Sequence, residues 1–352
     1  MNWLLYGANG YTGELVAREA VRRNLKPILA GRNEAAVRAL AAELGLSHRS
    51  FSLDDPTAVA QGIAGVAAVL HCAGPFIRTS RAMVAACLTA GVHYLDITGE
   101  IGVFEKVLSQ SEVAKGAGVA LLPGVGFDVV PSDCLAARLA AALPSATHLE
   151  LAFASIRGSI SRGTMKTMIE SLPHAGAIRR NGKIEPVPPA FDVREIDFPG
   201  GRRWAMTIPW GDVSTAWWST GIPNIRVYTG TPRRTIRRMR RIAPFLPILA
   251  WKPIKRFLQR QVEKRVTGPS EEVRRTARIE LWGQVRDAEG RSATGTLVIP
   301  EGYQFTAMSA VESAERAAQG RVAPGAWTPS KAFGADYVTE FSDVVAGPIS
   351  VS

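Results

Sequence analysis

The chain has 352 residues, 46% of them apolar and 21% charged, a length and balance that allow two domains, each with its own core. Three cysteines, Cys72, Cys87 and Cys134, lie far apart with no C-x-x-C and no histidine at ligand spacing, which argues against a disulfide scaffold and against a metal site. The formal charge of +11 is local: residues 233–265 hold twelve Lys/Arg against one acid, Glu263, and the rest of the chain carries thirty of each sign.

Met1-Asn2 runs directly into the strand-like Trp3-Leu4-Leu5-Tyr6, so no secretory leader is expected and a reducing cytoplasm is the expected location. Residues 1–146 alternate apolar runs with amphipathic stretches, the pattern of a parallel sheet covered on both faces. Strands are predicted at Trp3–Tyr6, Pro27–Ala30, Ser50–Leu53, Ala67–Cys72, His93–Ile97 and Val119–Leu122. Helices are predicted at Glu14–Arg23, Glu34–Leu44, Pro56–Gly62, Ser80–Ala90 and Val103–Gly116, and Pro131 opens one that runs to Leu143. After Pro144 the spacing changes to strict alternation, as in His148–Phe153 and Arg278–Leu281, with further strands at Asp197–Ile208, Ile225–Tyr228 and Thr294–Ile299. Helical spacing returns over Gly302–Gln319. The expected class is α/β: a doubly wound Rossmann-type parallel sheet in residues 1–146, then a second α+β domain in 147–300 with a largely antiparallel sheet.

The strongest motif is Gly7-Ala8-Asn9-Gly10-Tyr11-Thr12-Gly13, placed between the first strand and the first helix. A dinucleotide pyrophosphate needs such a turn: Gly7 for the tight bend, Gly10 for backbone contact with phosphate, Gly13 for close packing of helix on strand. Asn9, Tyr11 and Thr12 fill the turn and are counted with the glycines as cofactor-binding candidates. The second strand ends in Ala30-Gly31-Arg32-Asn33, where an NAD site would carry an acid for the ribose hydroxyl. A guanidinium there suits a 2′-phosphate, so NADP is expected ahead of NAD. The fourth strand ends in His71-Cys72-Ala73-Gly74-Pro75-Phe76, and residues 73–76 would pass over a dinucleotide at the topological switch point.

In order and spacing, GANGYTG, AGR, HCAGPF, YLDITGE and PGVGFDVVPSD resemble the saccharopine-dehydrogenase-like NADP-binding oxidoreductases, a group that includes trans-acting enoyl reductases of lipid biosynthesis. The likeness continues through Ser161–Thr164, Ser219–Ile225 and Thr328–Gly334. It implies a Rossmann domain, an inserted α+β substrate domain, and a segment 301–352 that returns to the first domain. It carries over Gly7, Gly10, Gly13, Arg32 and Ala73–Phe76 as cofactor contacts, and it leaves the substrate open.

Hydride transfer needs a positioned cofactor and a proton source. No Tyr-x-x-x-Lys pair occurs; the candidates are Asp96, Glu100 and Asp128 at strand ends and Tyr303 from the returning segment, each with a capping or bridging role as the alternative. Thr164 is expected to begin a helix. The basic segment combines paired arginines (Arg233/Arg234, Arg237/Arg238, Arg240/Arg241) with an uncharged run from Ile242 to Trp251, followed by a stretch with Ile254, Phe257, Leu258 and Val262 on one face. It fits docking to an anionic membrane surface, making the protein peripheral to a membrane's inner face; a substrate lid or a homodimer contact is the competing reading. Nucleic acid is disfavoured, because no binding module surrounds the charge. Two functions remain open. One is an NADP-dependent reductase of a C=C or C=N bond in a small or lipid-linked substrate; the other is a non-catalytic NADP(H)-binding, membrane-associated structural or sensing protein.

Overall fold

The computed structural model describes residues 2–156, 165, 169, 176–245, 251–265 and 268–352. The chain divides into two compact units, one of Met1–Val130 with Tyr303–Phe333, the other of Pro131–Gly302 with Gly334–Ser352.

The first unit is a wholly parallel sheet wound in both directions. Its strands and helices run β1 (Trp3–Tyr6), α1 (Tyr11–Arg22), β2 (Ile28–Gly31), α2 (Glu34–Leu44), β3 (His48–Ser50), α3 (Pro56–Gly62), β4 (Ala68–His71), α4 (Phe76–Ala90), β5 (His93–Asp96), α5 (Ile101–Leu108), α6 (Ser111–Gly116) and β6 (Ala120–Leu122). Strand order is β3-β2-β1-β4-β5-β6, extended by a short strand at Gly325–Ala326 beside β6. This is the Rossmann order, with the reversal between β1 and β4. Alternate residues of each strand enter opposite cores. Trp3 and Leu5 join the cluster that includes Val16 of α1 and Val311 of the helix Gly302–Ala318, while Leu4 and Tyr6 join the cluster with Met83 and Val84 of α4. Both faces are covered, so the strand sequences are continuous apolar runs.

Four elements depart from expectation. Helix α1 starts at Tyr11, three residues before the expected Glu14, so the last three residues of the glycine motif form its first turn. The third strand is His48–Ser50, ahead of the expected 50–53, because the ladder with β2 ends at Ser50 and Phe51 turns inward onto Tyr6, ring centroids 4.9 Å apart. The expected helix 103–116 is broken into α5 and α6, since Ser109 Oγ and Gln110 Nε2 both donate back to the Lys106 carbonyl, at 3.1 and 2.9 Å. Helix α4 starts at Phe76, a full turn before Ser80, for a reason that belongs to the site described below.

The second unit opens with α7 (Val130–Ala142), so the division falls at residue 130 and not after 146. Leu135 and Leu139 of α7 reach the middle of the second sheet, where a Cβ on Gly283 would come within 2.7 Å of Leu139 and 3.1 Å of Leu135. Glycine there lets the helix lie close. The sheet contains β7 (His148–Ile156), β8 (Ala177–Arg180), β9 (Lys183–Pro186), β10 (Val193–Phe198), β11 (Gly201–Thr207), β12 (Asn224–Gly230), β13 (Arg278–Arg286) and β14 (Ser292–Pro300), plus short edge strands at Val345–Ala346 and Ser350–Val351. Every pairing is antiparallel except β7 with β12, which is parallel. The single strand expected at 197–208 is a hairpin, with Phe198 opposite Gly201 and Pro199-Gly200 in the turn, because proline has no N–H to continue a ladder. Only Tyr303–Phe333 of the expected returning segment joins the first unit; Gly334–Ser352 pairs with the second sheet along β14.

Cys72, Cys87 and Cys134 are free thiols, and burial pushes the Cys87 thiol up from its ordinary pKa. Among the described residues no group of acids, histidines and cysteines is arranged to hold a metal ion, and no helix is long and apolar enough to cross a membrane.

Candidate functional site

The glycine turn sits at the carboxyl edge of β1, and its three glycines are required for different reasons. Gly7 has φ +85°, and a Cβ there would meet Ala73 N at 2.8 Å, so the turn lies directly against the loop after β4. At Gly13 a Cβ would fall 2.2 Å from the Gly7 carbonyl oxygen; the protein itself forbids a side chain. Gly10 is exposed, has extended backbone (φ −81°, ψ 161°), and a Cβ would meet a single atom, the Gly7 oxygen, at 3.2 Å. The protein therefore leaves an open cradle over Gly10 at the N-terminus of the 12-residue α1, an end that the Gly10 cap position leaves without a side-chain cap and whose dipole favours an anion. Asn9 lies next to the end of β2, its Oδ1 3.1 Å from where a Gly31 Cβ would be.

Arg32 follows β2 and is exposed. It makes no hydrogen bond or ion pair with any described residue. Its charge is felt by the Tyr6 hydroxyl, which burial raises to about 12 and Arg32 pulls back down. The next residue, Asn33, caps α2 by accepting from Ala36 N at 3.1 Å. The neighbour is committed to the helix and the arginine is not.

The loop after β4 is shaped from beneath by His71. This histidine is fully buried, and its Nε2 lies 2.9 Å from Thr79 Oγ1. The Thr79 hydroxyl donates to the carbonyls of Ala73 (2.8 Å) and Pro75 (3.2 Å), so it accepts from His71 and fixes the Nε2–H tautomer. Burial lowers the His71 pKa to about 3, keeping the ring neutral, and Nδ1 has no partner among the described residues. In the sequence His71 stands only as the first residue of the run His71–Phe76. Its bracing role depends on Thr79, one turn into α4, which no local motif signals.

The four candidate proton donors all fall on this edge of the first unit, but their surroundings differ. Asp96 is fully buried and accepts from Tyr94 Oη (2.7 Å), Thr98 N (3.0 Å) and Gly124 N (2.9 Å), joining the ends of β5 and β6. Burial raises its pKa to about 6 against the pull of those donors. Glu100 accepts from Phe76 N at 2.7 Å and Ile77 N at 2.9 Å, and this two-pronged cap starts α4 a turn early. Asp96 and Glu100 are thus taken up by the scaffold.

Asp128 is different. Its carboxylate is half-buried against Gly99, where a Cβ would lie 2.5 Å from Oδ2. It makes no hydrogen bond or ion pair with any described residue, and burial raises its pKa to about 7. Tyr303 meets Tyr11 edge-on, ring centroids 5.1 Å apart. The helix that carries Tyr303 is anchored to the loop after β6: Thr306 Oγ1 accepts from Phe127 N at 3.0 Å and Ser309 Oγ donates to the Val125 carbonyl at 2.8 Å. Contacts thus close a ring around the sheet edge, from Gly7 to Ala73, Phe76 to Glu100, Gly99 to Asp128, Phe127 to Thr306, and Tyr303 to Tyr11. Ser161–Thr164, including the expected helix start at Thr164, lie outside the described residues.

Asp96 gives a first expected result. Asp96→Ala should cost about 3 kcal/mol or more, since three interior donors lose their acceptor at roughly 1 kcal/mol or more each, whereas Asp96→Asn keeps an oxygen for the two backbone donors. The folded pKa of about 6 exceeds the ordinary 3.8, so the native state holds its proton longer than the unfolded chain. This group's stabilising contribution is full below pH 4 and is lost as pH rises through about 6. Melting temperatures between pH 4 and 7 should therefore fall less in the Asn variant than in the parent; parallel slopes would contradict the assignment.

Residues 3–122 match the family model described as the saccharopine dehydrogenase NADP binding domain. The chain is 31% identical over 185 residues to a putative trans-acting enoyl reductase of Mycobacterium tuberculosis, covering 49% of this chain and 44% of that protein. It is 32% identical over 139 residues to the trans-acting enoyl reductase of Mycobacterium leprae, covering 37% of this chain and 33% of that protein. The matches span less than half the length of these relatives. In fold, the chain is similar to apo saccharopine dehydrogenase (L-Glu forming) from Saccharomyces cerevisiae, with a TM-score of 0.66, 12% identity, and coverage of 100% of this chain and 99% of that one.

Proposed function

We propose that the chain is an NADP-dependent oxidoreductase that reduces a C=C bond conjugated to a carbonyl, with Asp128 supplying the proton. The observation that carries this is Asp128 itself: a half-buried carboxyl with no partner among the described residues, pKa about 7, on the same sheet edge as a glycine cradle open at Gly10. A structural aspartate is held by donors, as Asp96 is; one left without them, in a site that holds it protonated near neutrality, is suited to give up a proton. The open cradle, the N-terminus of α1 and the uncommitted Arg32 fit a phosphorylated dinucleotide. Bound there, the cofactor supplies hydride to an electrophilic carbon. Gly10 and the first turn of α1 would hold the pyrophosphate and Arg32 would pair with the 2′-phosphate, while the His71–Thr79 brace fixes the backbone of residues 73–76. Tyr11 and Tyr303 cover an edge of the site and exclude water, and Asp128 protonates the carbon left electron-rich by hydride addition. The enoyl reductase names of the relatives favour C=C over C=N.

Cofactor choice tests Arg32. The protein should bind NADPH more tightly than NADH, and Arg32→Ala should remove most of the difference, about 1.5–3 kcal/mol for charge-assisted bonds. Fluorescence titration with each nucleotide measures this, and equal dissociation constants in the parent would overturn the NADP assignment. The reaction itself is tested by single-turnover oxidation of bound NADPH with a set of 2-enoyl thioesters and with cyclic imines. Deuterium transfer from one face of labelled NADPH to an enoyl carbon is the expected outcome, and transfer only to imines would shift the reading to C=N.

A further inference from the structure

The helix Arg233–Ile242 has two faces with opposite fates. One docks on the second unit's own surface: Ile236 is buried with Ala190 and Met206, the Arg233 guanidinium lies 4.2 Å above the Trp204 ring, and Arg240 donates to the Ala190 carbonyl at 3.1 and 2.9 Å. The other face carries Arg234, Arg237, Arg238 and Arg241, at i, i+3, i+4 and i+7. All four are exposed, and none makes a hydrogen bond or ion pair with any described residue. Like charges at these spacings oppose the helix, and the helix contains no acid to relieve them. Such a face is complementary to a dense anionic surface.

A second observation concerns the aromatics. Among the described residues the exposed phenylalanines and tryptophans are Phe191, Phe245, Trp251 and Phe257, at 40, 58, 66 and 60% exposure. Phe191 follows the residue whose carbonyl holds Arg240, and Phe245 closes the short 3-10 turn directly after the arginine helix. In the helix Lys252–Arg265, Ile254 and Leu258 are half-buried and Val262 is buried, whereas Phe257 points outward with Pro253 and Arg260. The expected single apolar face of that helix is therefore corrected: three of its members pack on the protein, and the aromatic one is left to solvent.

We propose that this face docks on an anionic lipid surface, with Arg234, Arg237, Arg238 and Arg241 against the headgroups and Phe245, Trp251 and Phe257 inserted at the interface. Charge alone would suit an acidic protein equally. The exposed aromatics decide for lipid: Phe245 ends the turn directly after the arginine helix, Trp251 and Phe257 are exposed in the next stretch of chain, and large apolar rings in a polybasic segment gain most where headgroups meet acyl chains. This surface is independent of the proposed reductase chemistry.

Co-sedimentation of the full chain with vesicles tests it, comparing phosphatidylcholine alone with phosphatidylcholine mixed with phosphatidylglycerol. Binding is expected only with the anionic lipid, and it should weaken from about 0.1 M to about 1 M salt, as the screening length falls from roughly 10 to 3 Å. Replacing the four arginines by glutamine should lower the partition coefficient about fivefold for each charge removed. These side chains make no hydrogen bond or ion pair with any described residue, and their mutual repulsion is relieved in the variant, so a melting temperature no lower than the parent's and unchanged NADPH binding serve as the control for folding. Phe245→Ser, Trp251→Ser and Phe257→Ser together should reduce binding further and abolish the blue shift of tryptophan emission on vesicle addition. A parent protein that stays in the supernatant with anionic vesicles at low salt overturns the proposal. So does binding to soluble polyglutamate that matches binding to vesicles and is indifferent to the aromatic substitutions, which would assign the face to an acidic protein.

Discussion

Asp128→Asn should lower the rate of the chemical step by about a hundredfold to ten-thousandfold, the usual worth of a positioned general acid. NADPH affinity should stay within a few-fold of the parent, because the residue lies after β6 and away from the glycine turn after β1. The pH profile carries the sign. With a pKa of about 7, the carboxyl is protonated below neutrality and ionised above it, so reduction should proceed fully near pH 6 and fall as pH rises through 7. The descending limb should vanish in the Asn variant. Stability should move the other way: the parent pays for an ionised half-buried carboxylate above pH 7, and Asn does not, so the variant should melt higher than the parent at pH 8 and nearly equal to it at pH 4. Pre-steady-state absorbance of NADPH at a series of pH values measures the first effect, and thermal melts measure the second. A variant with parental turnover would remove Asp128 from the chemistry, and proton delivery would then fall to Tyr303 or to water.

The glycine turn offers a second large effect, with two outcomes that separate ligand from fold. Gly10→Val should fold, since the added Cβ meets one atom at 3.2 Å and the backbone is already extended, yet it should weaken NADPH binding by about a hundredfold or more by blocking the phosphate's approach to the helix N–H groups. Gly13→Ala places a methyl 2.2 Å from the Gly7 oxygen, so it should destabilise the first unit by about 2 kcal/mol or more whatever the cofactor does. Circular dichroism and calorimetric titration of both variants distinguish the two. Retained micromolar binding in Gly10→Val would mean that the turn holds no phosphate.

The sequence by itself determined the frame of this molecule. The continuous apolar runs of β1, β2 and β4 could only be strands buried on both faces, and glycines at 7, 10 and 13, running from the end of β1 into the first turn of α1, are a local signal, complete within seven residues. The charge of residues 233–265 was equally legible, because charge is counted along the chain. What each acid does was not legible. Asp96, Glu100 and Asp128 look alike in sequence, each at or shortly after the end of an expected strand. Their roles are set by donors brought from elsewhere: Gly124 N to Asp96, Phe76 N and Ile77 N to Glu100, and none to Asp128. The same holds for His71, whose tautomer is dictated by Thr79, and for Phe257, which helical spacing alone grouped with residues that turned out to pack inward. Local propensity and periodicity specify where a backbone goes, whereas the environment of a titratable group depends on which other chain segments arrive beside it; only tertiary structure decides that.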